Sequence, residues 1–421
     1  MHGRDCDDGH GRQAKDGPAL FRGVVRPREW GLRFTSAWAG ANSLLDCAAS
    51  TSSEESFMKR REFVSGLAMA TGVTACGGQE QDCGDGTSQP GKTYKWNMVT
   101  SWPPGLPGLG TGAENLAKRL EAASAGRLKI KVFAGGELVP ALEVFDAVRS
   151  GTAQMGHDAS YYHRGKIPAA QYFTAIPFGL NANEITAWFY QGGALELCHE
   201  YYEQYGMIAF PVGQTGVQMA GWFNKEVNSA ADLQGLKMRI PGLGGEVMQR
   251  AGITQVTLPA SEIFTSLQTG AIDAAEWIGP YNDVSLGLHK AARYYYYPGW
   301  HESGPNLLCT INKGAWDELP EDLQHLVEIS CQAAALDVQS EYTYGNAMAL
   351  DQLMQDPNVE LRELPKDVLD LLRTYSEEAI AELTAKNEWA KRFHDSLAGF
   401  LKKSDAYQKI SEVSYLRNRM G

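Results

Sequence analysis

Two glutamates in unusual surroundings are the strongest candidates for chemistry in this sequence. Glu276 follows the run GAIDAA (270–275), which is small and apolar except for one aspartate, and precedes a tryptophan and a Gly-Pro break, which predicts a strand end facing a cleft. Glu302 ends the segment YYYYPGWHE (294–302) at a predicted turn. Most charged side chains are solvated, so either glutamate alone could be an ordinary surface residue. Together they are a candidate carboxylate pair for cation binding or for acid/base catalysis.

Two further polar residues interrupt apolar segments. Gln218 lies in the stretch 217–223, where a buried amide must bond either to the backbone of a neighbouring strand or to a cation and a ligand. Arg239 ends a predicted short strand, and its guanidinium can hold a carboxylate through two parallel hydrogen bonds, which a lysine cannot do. His301, which directly precedes Glu302, is interpreted as a structural histidine rather than as a metal ligand.

Composition and charge restrict the class of protein. The chain has 421 residues, of which 43% are hydrophobic and 21% charged, as in ordinary globular proteins of two or three domains. The composition excludes a wholly disordered, collagen-like or coiled-coil chain, and no run reaches the roughly 18 apolar residues of a membrane-spanning helix. The net charge of −12 argues against nucleic acid as a partner. An anionic ligand would therefore need local positive charge, oriented dipoles or a metal.

The elements that must position these residues alternate between strand and helix. This alternation predicts an α/β fold with mainly parallel sheets, and the length favours two lobes with a ligand between them. We expect a long helix over 319–353 and a charged helical segment at the C-terminus that lies across the outside. The predicted boundaries are 93–216 with 279–303 for lobe one, 217–278 with 304–365 for lobe two, and 366–421 for the C-terminal helices.

The N-terminal region predicts export. Residues 1–57 show no sustained period, and we interpret them as a misannotated extension before a true start at Met58, or as a disordered leader. Residues 58–76 combine a basic start, a short apolar run and small residues before Cys76, which is typical of an export signal. Arg60-Arg61 favours the twin-arginine route over the general one. Cys76 ends either a lipobox, in which case a lipid on this cysteine would attach the protein peripherally to a membrane, or a plain cleaved signal. Residues 77–92 are predicted to form a flexible tether.

From residue 95 onward the sequence resembles the extracytoplasmic solute receptors of TRAP transporters. It is most similar to the branch that binds 2-oxo and 2-hydroxy monocarboxylates such as pyruvate and lactate. The resemblance covers almost the whole mature chain and implies a two-lobed periplasmic solute-binding fold with hinge crossovers and C-terminal helices. The segments that carry it are GELVP (136–140), TGVQMAGWF (215–223), LQGLKMRIPG (233–242), GAIDAAEWIGPYND (270–283) and YYYYPGWHESGP (294–305).

The resemblance also implies a role for individual residues. It makes Arg239 the clamp on the ligand carboxylate and lets Gln218 contact both ligand and cation. It makes Glu276, Glu302 and the backbone carbonyl of Trp277 the remaining protein ligands of the cation. At Gln214 members of the branch carry Asn, so the longer side chain is expected to narrow the pocket. The aromatic side chains at positions that line the family's pocket are Trp102, Tyr161 and Tyr162.

Charge is consistent with these implied roles. A monocarboxylate beside Glu276 and Glu302, with Arg239 as the counter-charge, leaves two net negative charges, which a closed cleft cannot bury without compensation. One Ca²⁺ would balance them, and one Na⁺ would leave a single negative charge. Both are hard cations that prefer oxygen ligands, and every implied protein ligand supplies oxygen.

The function expected from the resemblance is capture of a small carboxylate for TRAP permease subunits in the membrane, without catalysis. One alternative keeps the binding site but signals to a membrane kinase. Another uses the two glutamates as the acid/base pair of a glycoside hydrolase, although the sequence contains no G-x-S-x-G, HExxH or P-loop motif. The C-terminal helices could pack on their own lobes or on a second chain in a homodimer.

Overall fold

The computed structural model describes residues 92–421. The predicted extension 1–57, the export signal 58–76 with Cys76, and all of the tether except Lys92 lie outside the described residues. Within 92–421, none of the helices combines the length and the apolar character that crossing a membrane requires.

Strands and helices alternate along about the first four-fifths of the described chain, as the sequence predicts, and three helices follow. The strands are β1 (Tyr94–Thr100), β2 (Leu128–Phe133), β3 (Met155–Asp158), β4 (Met207–Gln214), β5 (Gly221–Phe223), β6 (Lys237–Arg239), β7 (Thr254–Val256), β8 (Ala274–Ala275), β9 (Tyr294–Tyr297), β10 (Asn306–Asn312) and β11 (Glu360–Glu363). The α-helices are α1 (Gly110–Ala123), α2 (Val144–Arg149), α3 (Ala182–Gln191), α4 (Ala194–Glu203), α5 (Gly242–Arg250), α6 (Ala260–Gln268), α7 (Pro280–Ser285), α8 (Lys313–Asp317), α9 (Glu321–Leu353), α10 (Lys366–Lys386), α11 (Glu388–Gln408) and α12 (Glu412–Met420).

The strands form two sheets, one in each lobe. The sheet of lobe one has the order β2-β1-β3-β10-β4, and that of lobe two has the order β11-β9-β5-β8-β6-β7. Both are mixed: β10 runs antiparallel to β3 and β4, and β5 runs antiparallel to β8 and β9. These two strands are the ones that arrive from the other lobe. They enter their sheets from the hinge side, which reverses their direction relative to their neighbours.

Two adjacent extended segments, 215–220 and 298–305, connect strands of one lobe to strands of the other, and we call them the first and second crossover. The chain also passes from lobe one to lobe two between β10 and β11, by way of α9, and returns to lobe one between α10 and α11.

The predicted assignment of 279–303 to lobe one is wrong for β9, which lies in the sheet of lobe two. The predicted assignment of 304–365 to lobe two is wrong for β10, which lies in the sheet of lobe one, whereas β11 lies in the sheet of lobe two as predicted. Both sheets contain short apolar strands, so the sequence pattern of β9 or β10 does not reveal which sheet the strand joins. Of the apolar stretch 217–223, only Gly221–Phe223 forms a strand, because residues 217–220 belong to the first crossover.

The C-terminal helices α10 and α11 contact both lobes, a connection that the sequence analysis did not predict. Helix α10 lies on lobe two, where Arg250 of α5 forms ion pairs with Glu378 and Glu382. Helix α11 lies on lobe one, where Trp188 donates a hydrogen bond to Ser396 at 3.0 Å and Phe393 is fully buried. The long helix α9, predicted at 319–353, packs on β4 and α1 of lobe one.

The two crossovers touch at Gly299. Its backbone N–H donates to the Gln218 carbonyl at 2.9 Å, and a Cβ placed on Gly299 would stand 2.2 Å from that oxygen. Backbone on both sides fixes this approach, so a larger residue would separate the crossovers.

Gly299→Ala is therefore expected to lower the free energy of unfolding by about 1–3 kcal/mol, the usual effect of overpacking. Gly165→Ala is the matched control, because a Cβ there meets nothing within 4 Å, and it should change stability by less than about 0.5 kcal/mol. Urea unfolding of both variants measures the difference. Equal stabilities would contradict the close approach of the crossovers.

Candidate functional site: a buried charge cluster at the hinge

Arg239 and Glu276 lie at the ends of two neighbouring parallel strands of lobe two. Strand β6 ends at Arg239 and β8 at Ala275, and these two residues are in register, so the sheet itself brings the side chains together. Each side chain is only 1% exposed, and they form an ion pair. The guanidinium also donates to the backbone carbonyls of Glu276 at 2.9 Å and of Leu258 at 3.2 Å, which fixes its orientation.

The crossovers contribute the second half of the cluster. Gln218 belongs to the first crossover and Glu302 to the second, and the Gln218 N–H donates to the Glu302 carbonyl at 3.0 Å. Both side chains are buried. These two residues therefore sit on the hinge itself, whereas Arg239 and Glu276 belong to the rigid body of lobe two.

His301 lies close to both carboxylates. One potential ligand atom from each of Glu276, His301 and Glu302 lies within 4.8 Å of those of the other two, and all three residues are buried. The ring Nε2 of His301 is 3.1 Å from Glu276 Oε2. The sequence-based interpretation of His301 as structural did not anticipate that it contacts a candidate ligand directly.

The electrostatics of the cluster favour an added cation. Burial, reinforced by the nearby charge of Glu276, raises the pKa of the Glu302 carboxyl well above its usual range. Arg239 can compensate only one carboxylate. A second positive charge would relieve the energy of burying the other one.

Oxygen atoms without partners indicate what kind of cation fits. Among the described residues, the buried atoms Gln218 Oε1 and Glu302 Oε2 have no hydrogen-bond donor. No hydrogen bond within residues 92–421 reaches the Trp277 carbonyl either. The Gln218 amide nitrogen is bound to Thr215 Oγ1 at 3.2 Å, which leaves its oxygen for another partner. A set of carboxylate, amide and backbone oxygens fits a hard cation such as Ca²⁺ or Na⁺.

An aromatic wall closes one side of the cluster. Trp102, Tyr161, Tyr162 and Trp277 line a cavity together with Gln218, and the Arg239 guanidinium lies 5.0 Å from the centre of the Trp277 ring. The cavity has a volume of about 10 Å³, enough for about one water molecule. The sequence analysis did not identify its other lining residues, because they are ordinary in type: Leu109, Thr215, Ile278, Pro305 and Leu307.

The lobes touch each other across this cavity. Arg164 of lobe one donates to the Gly242 carbonyl of lobe two at 2.9 Å, and Arg239 donates to Tyr162 Oη at 3.4 Å. A three-carbon acid is much larger than one water molecule. Entry of such a ligand therefore requires the lobes to separate or the Arg239–Glu276 pair to rearrange.

Gln214 does not line the cavity, in contrast to the expectation from the sequence. It ends β4 with its side chain turned away, and its amide donates to Thr186 Oγ1 at 2.6 Å. The position of this side chain depends on its contact with Thr186 of α3, and the sequence around Gln214 does not reveal that contact.

Two larger clefts lie away from the charge cluster. One, of about 500 Å³, is open to solvent beside α2, and the other, of about 560 Å³, lies between the second crossover and helices α10 and α11. Neither includes Arg239, Glu276 or Glu302, so volume alone does not identify the site.

A buried histidine holds Trp102 in place. The indole Nε1–H of Trp102 donates to His157 Nδ1 at 2.9 Å, which requires the unprotonated nitrogen. Burial lowers the pKa of His157 to about 4, against the opposing effect of Asp158. His157 is therefore neutral at pH 7 and serves as a fixed acceptor.

Two α/β lobes that close on a buried arginine, two carboxylates and an aromatic wall define a solute-binding protein of the lobe-closure type. The chain belongs to the bacterial extracellular solute-binding protein family 7, which matches residues 98–387. It is 43% identical over 358 residues to the monocarboxylate 2-oxoacid-binding periplasmic protein of Nostoc sp., a match that covers 85% of this chain and 98% of the relative.

Two solved structures of TRAP periplasmic solute-binding proteins resemble the chain closely. The protein from Pseudoalteromonas atlantica, with bound sodium and pyruvate, is 42% identical with a TM-score of 0.75, covering 77% of this chain and 99% of that one. The protein from Colwellia psychrerythraea, with bound calcium and pyruvate, is 42% identical with a TM-score of 0.76, covering 78% and 100%.

These comparisons confirm the family and the two-lobed fold that the sequence predicts. They also confirm the expectation of a periplasmic solute-binding receptor rather than an enzyme. The glycoside hydrolase alternative is accordingly not supported.

The His157–Trp102 bond predicts a pH dependence of stability. The pKa of His157 is about 4 in the folded protein and about 6.5 in the unfolded chain. Between pH 4 and pH 6.5 the unfolded chain therefore binds the proton more readily than the folded protein. The contribution of neutral His157 to the free energy of unfolding is fully present above pH 6.5 and is lost as the pH falls towards 4. By pH 5 the loss should be about 2 kcal/mol relative to pH 7.5.

The comparison variant is His157→Gln, whose amide oxygen can accept the same indole hydrogen bond without titrating. Urea unfolding at pH 7.5 and pH 5 should show a smaller decrease for this variant than for the wild type, by about 2 kcal/mol. Identical decreases would show that His157 is not held neutral.

Proposed function

We propose that this protein captures a small 2-oxo or 2-hydroxy monocarboxylate, such as pyruvate or lactate, together with one hard cation. The observation that carries the proposal is the buried ion pair Arg239–Glu276 beside the second buried carboxylate of Glu302. An arginine alone would suit any anion. The adjacent carboxylates exclude an anion that is not accompanied by positive charge.

The protein groups divide into two sets. Arg239 supplies the guanidinium that can hold a carboxylate through two hydrogen bonds. Glu276, Glu302, Gln218 and the Trp277 carbonyl supply oxygen for the cation, and Ca²⁺ and Na⁺ both suit that set. The bound cation would supply the positive charge that the second carboxylate lacks.

The surroundings favour a small ligand. The aromatic rings of Trp102, Tyr161, Tyr162 and Trp277 border a narrow space, and in the present arrangement the ligand carboxylate would compete with Glu276 for Arg239. The two similar structures with bound pyruvate, one with sodium and one with calcium, and the 2-oxoacid-binding relative support this ligand class.

We propose TRAP permease subunits as the membrane partners, in line with the similar TRAP proteins. Export by the twin-arginine route and a lipid anchor on Cys76 remain proposals that rest on the sequence of residues 58–76. No observation favours the kinase-signalling alternative.

We also propose a homodimer, in which helix α12 of one copy lies on α9 of the other. Within α12 no residue is buried, and Ile410, Tyr415 and Met420 in or beside it are more than half exposed. Helix α9 presents Ile329, Leu336, Tyr344 and Met348, also more than half exposed, and it carries six acidic and no basic side chains. Residues 402–421 carry five basic and two acidic side chains, so the two surfaces are complementary in charge.

The ligand proposal is tested by calorimetry of the exported chain with pyruvate, lactate, succinate and a sugar, each with Ca²⁺, with Na⁺ and after chelation. Pyruvate or lactate should bind, and chelation should weaken the binding. Arg239→Lys keeps the charge but loses the paired hydrogen bonds, so affinity should fall by about 1.5–3 kcal/mol, or roughly 10- to 100-fold.

Arg373→Lys is the control, because Arg373 stacks on Phe178 outside the charge cluster and should leave affinity unchanged. Binding of succinate alone would retain the family and overturn the ligand class. If neither chelation nor Arg239→Lys changed the affinity for pyruvate, the proposed site would be overturned.

The dimer is tested by sedimentation of the exported chain at micromolar concentration. The wild type should sediment as a dimer, and Ile410→Asp should dissociate it by placing a charge in the apolar contact. Leu138→Asp, at a partly exposed leucine on lobe one, should leave the dimer intact. A monomeric wild type would contradict the proposal.

A further inference from the structure

Asp283 is a buried carboxylate to which neither the family resemblance nor the proposed ligand set gives a role. It lies in α7, is 1% exposed, and forms no ion pair with any basic side chain of residues 92–421. Its oxygens accept three hydrogen bonds instead: from Tyr295 Oη at 2.7 Å, from Trp222 Nε1 at 2.9 Å and from the backbone N–H of Ile278 at 3.3 Å. A buried carboxylate is costly, so its retention here calls for a function.

The third of these bonds points to that function. The N–H of Ile278 and the carbonyl of Trp277 belong to the same peptide unit, which is planar and trans. In a trans peptide the N–H and the C=O point in opposite directions. Asp283, by binding the N–H on one side, therefore turns the carbonyl to the other side, away from α7.

The rest of the segment is anchored in the same way. The Ile278 carbonyl accepts from the Met219 N–H at 2.9 Å, and the Trp277 indole donates to Asn282 Oδ1 at 3.2 Å. Of the three backbone carbonyls of residues 276–278, that of Glu276 accepts from Arg239 and that of Ile278 from Met219. Only the Trp277 carbonyl accepts no hydrogen bond from the described residues. The surrounding bonds thus hold one backbone oxygen free and in a defined direction.

We propose that Asp283 is a positioning residue for the cation site: its carboxylate fixes the Trp277–Ile278 peptide so that the Trp277 carbonyl is presented as a ligand. This inference rests on the proposed function, in which that carbonyl binds the cation. Groups that orient the ligands of a metal affect its affinity by roughly 10- to 100-fold.

The test uses Asp283→Asn, which keeps the size of the side chain. The remaining oxygen should stay with Tyr295 and Trp222, which are two donors at shorter distances, so the amide N–H₂ would face the Ile278 N–H. Two donors cannot bond, and the peptide loses its anchor. We expect the dissociation constant for Ca²⁺, measured by calorimetry at saturating pyruvate, to rise about tenfold or more.

Tyr295→Phe is the matched control. It removes a hydrogen bond from the same carboxylate but leaves the contact with Ile278, and its ring can keep its stacking on Trp222 at 4.0 Å. A purely structural role for Asp283 would make both variants less stable and leave the cation affinity of both unchanged. A positioning role changes cation affinity in Asp283→Asn alone.

A labelling experiment observes the peptide itself. Trp277–Ile278 is the only Trp-Ile pair in the sequence, so protein labelled with ¹³C at tryptophan carbonyls and ¹⁵N at isoleucine gives one peptide correlation in an HNCO spectrum. In the wild type, Ca²⁺ with pyruvate should shift the carbonyl carbon. In Asp283→Asn the amide proton should move even before the cation is added.

The outcomes separate the two proposals. A wild-type carbonyl that does not respond to the cation would overturn the ligand set and, with it, the role of Asp283. A responsive carbonyl combined with cation affinity in Asp283→Asn within twofold of the wild type would overturn only the role of Asp283. If that variant does not fold, fast deuterium exchange of the Ile278 amide in the wild type would overturn the inference, and slow exchange would support it.

Discussion

The burial of two carboxylates beside one arginine is the constraint on which the rest of this structure depends. Arg239 forms an ion pair with Glu276, and the second carboxylate, that of Glu302, is buried and forms no ion pair with a basic side chain of residues 92–421. Such an arrangement is stable only if further positive charge or protons are supplied. A bound cation meets this need without protonating a carboxylate, and the two similar structures contain sodium or calcium together with pyruvate.

The fold distributes this cluster between rigid and movable parts. Arg239 and Glu276 are fixed by adjacent strand ends in one sheet, so their separation does not depend on the position of the lobes. Gln218 and Glu302 lie on the crossovers, and Tyr162 reaches in from the other lobe. A change in lobe position would therefore move Gln218, Glu302 and the aromatic wall relative to Arg239 and Glu276. In the proposed function, this division would couple ligand binding to closure.

The C-terminal helices place a second constraint on the hinge. Helix α10 is attached to lobe two and α11 to lobe one, and only Asn387 separates them. Any opening of the cleft must bend this helical pair or shift one helix along its lobe. Helix α12, in contrast, contributes no buried side chain to its own chain. The segment thus has one part that belongs to the monomer and one part whose apolar surface is available to a partner.

The sequence by itself determined the features that arise from neighbouring residues. The ends of β6 and β8 at Arg239 and before Glu276, and the long helix α9, follow from apolar periodicity and from Gly and Pro breaks. The motifs also indicated the family. Tertiary structure alone decided which sheet β9 and β10 join, the turn of Gln214 towards Thr186, and the contacts of His301 and Asp283. These depend on partners distant in sequence, and a local pattern of residue types carries no information about which distant partner a side chain meets.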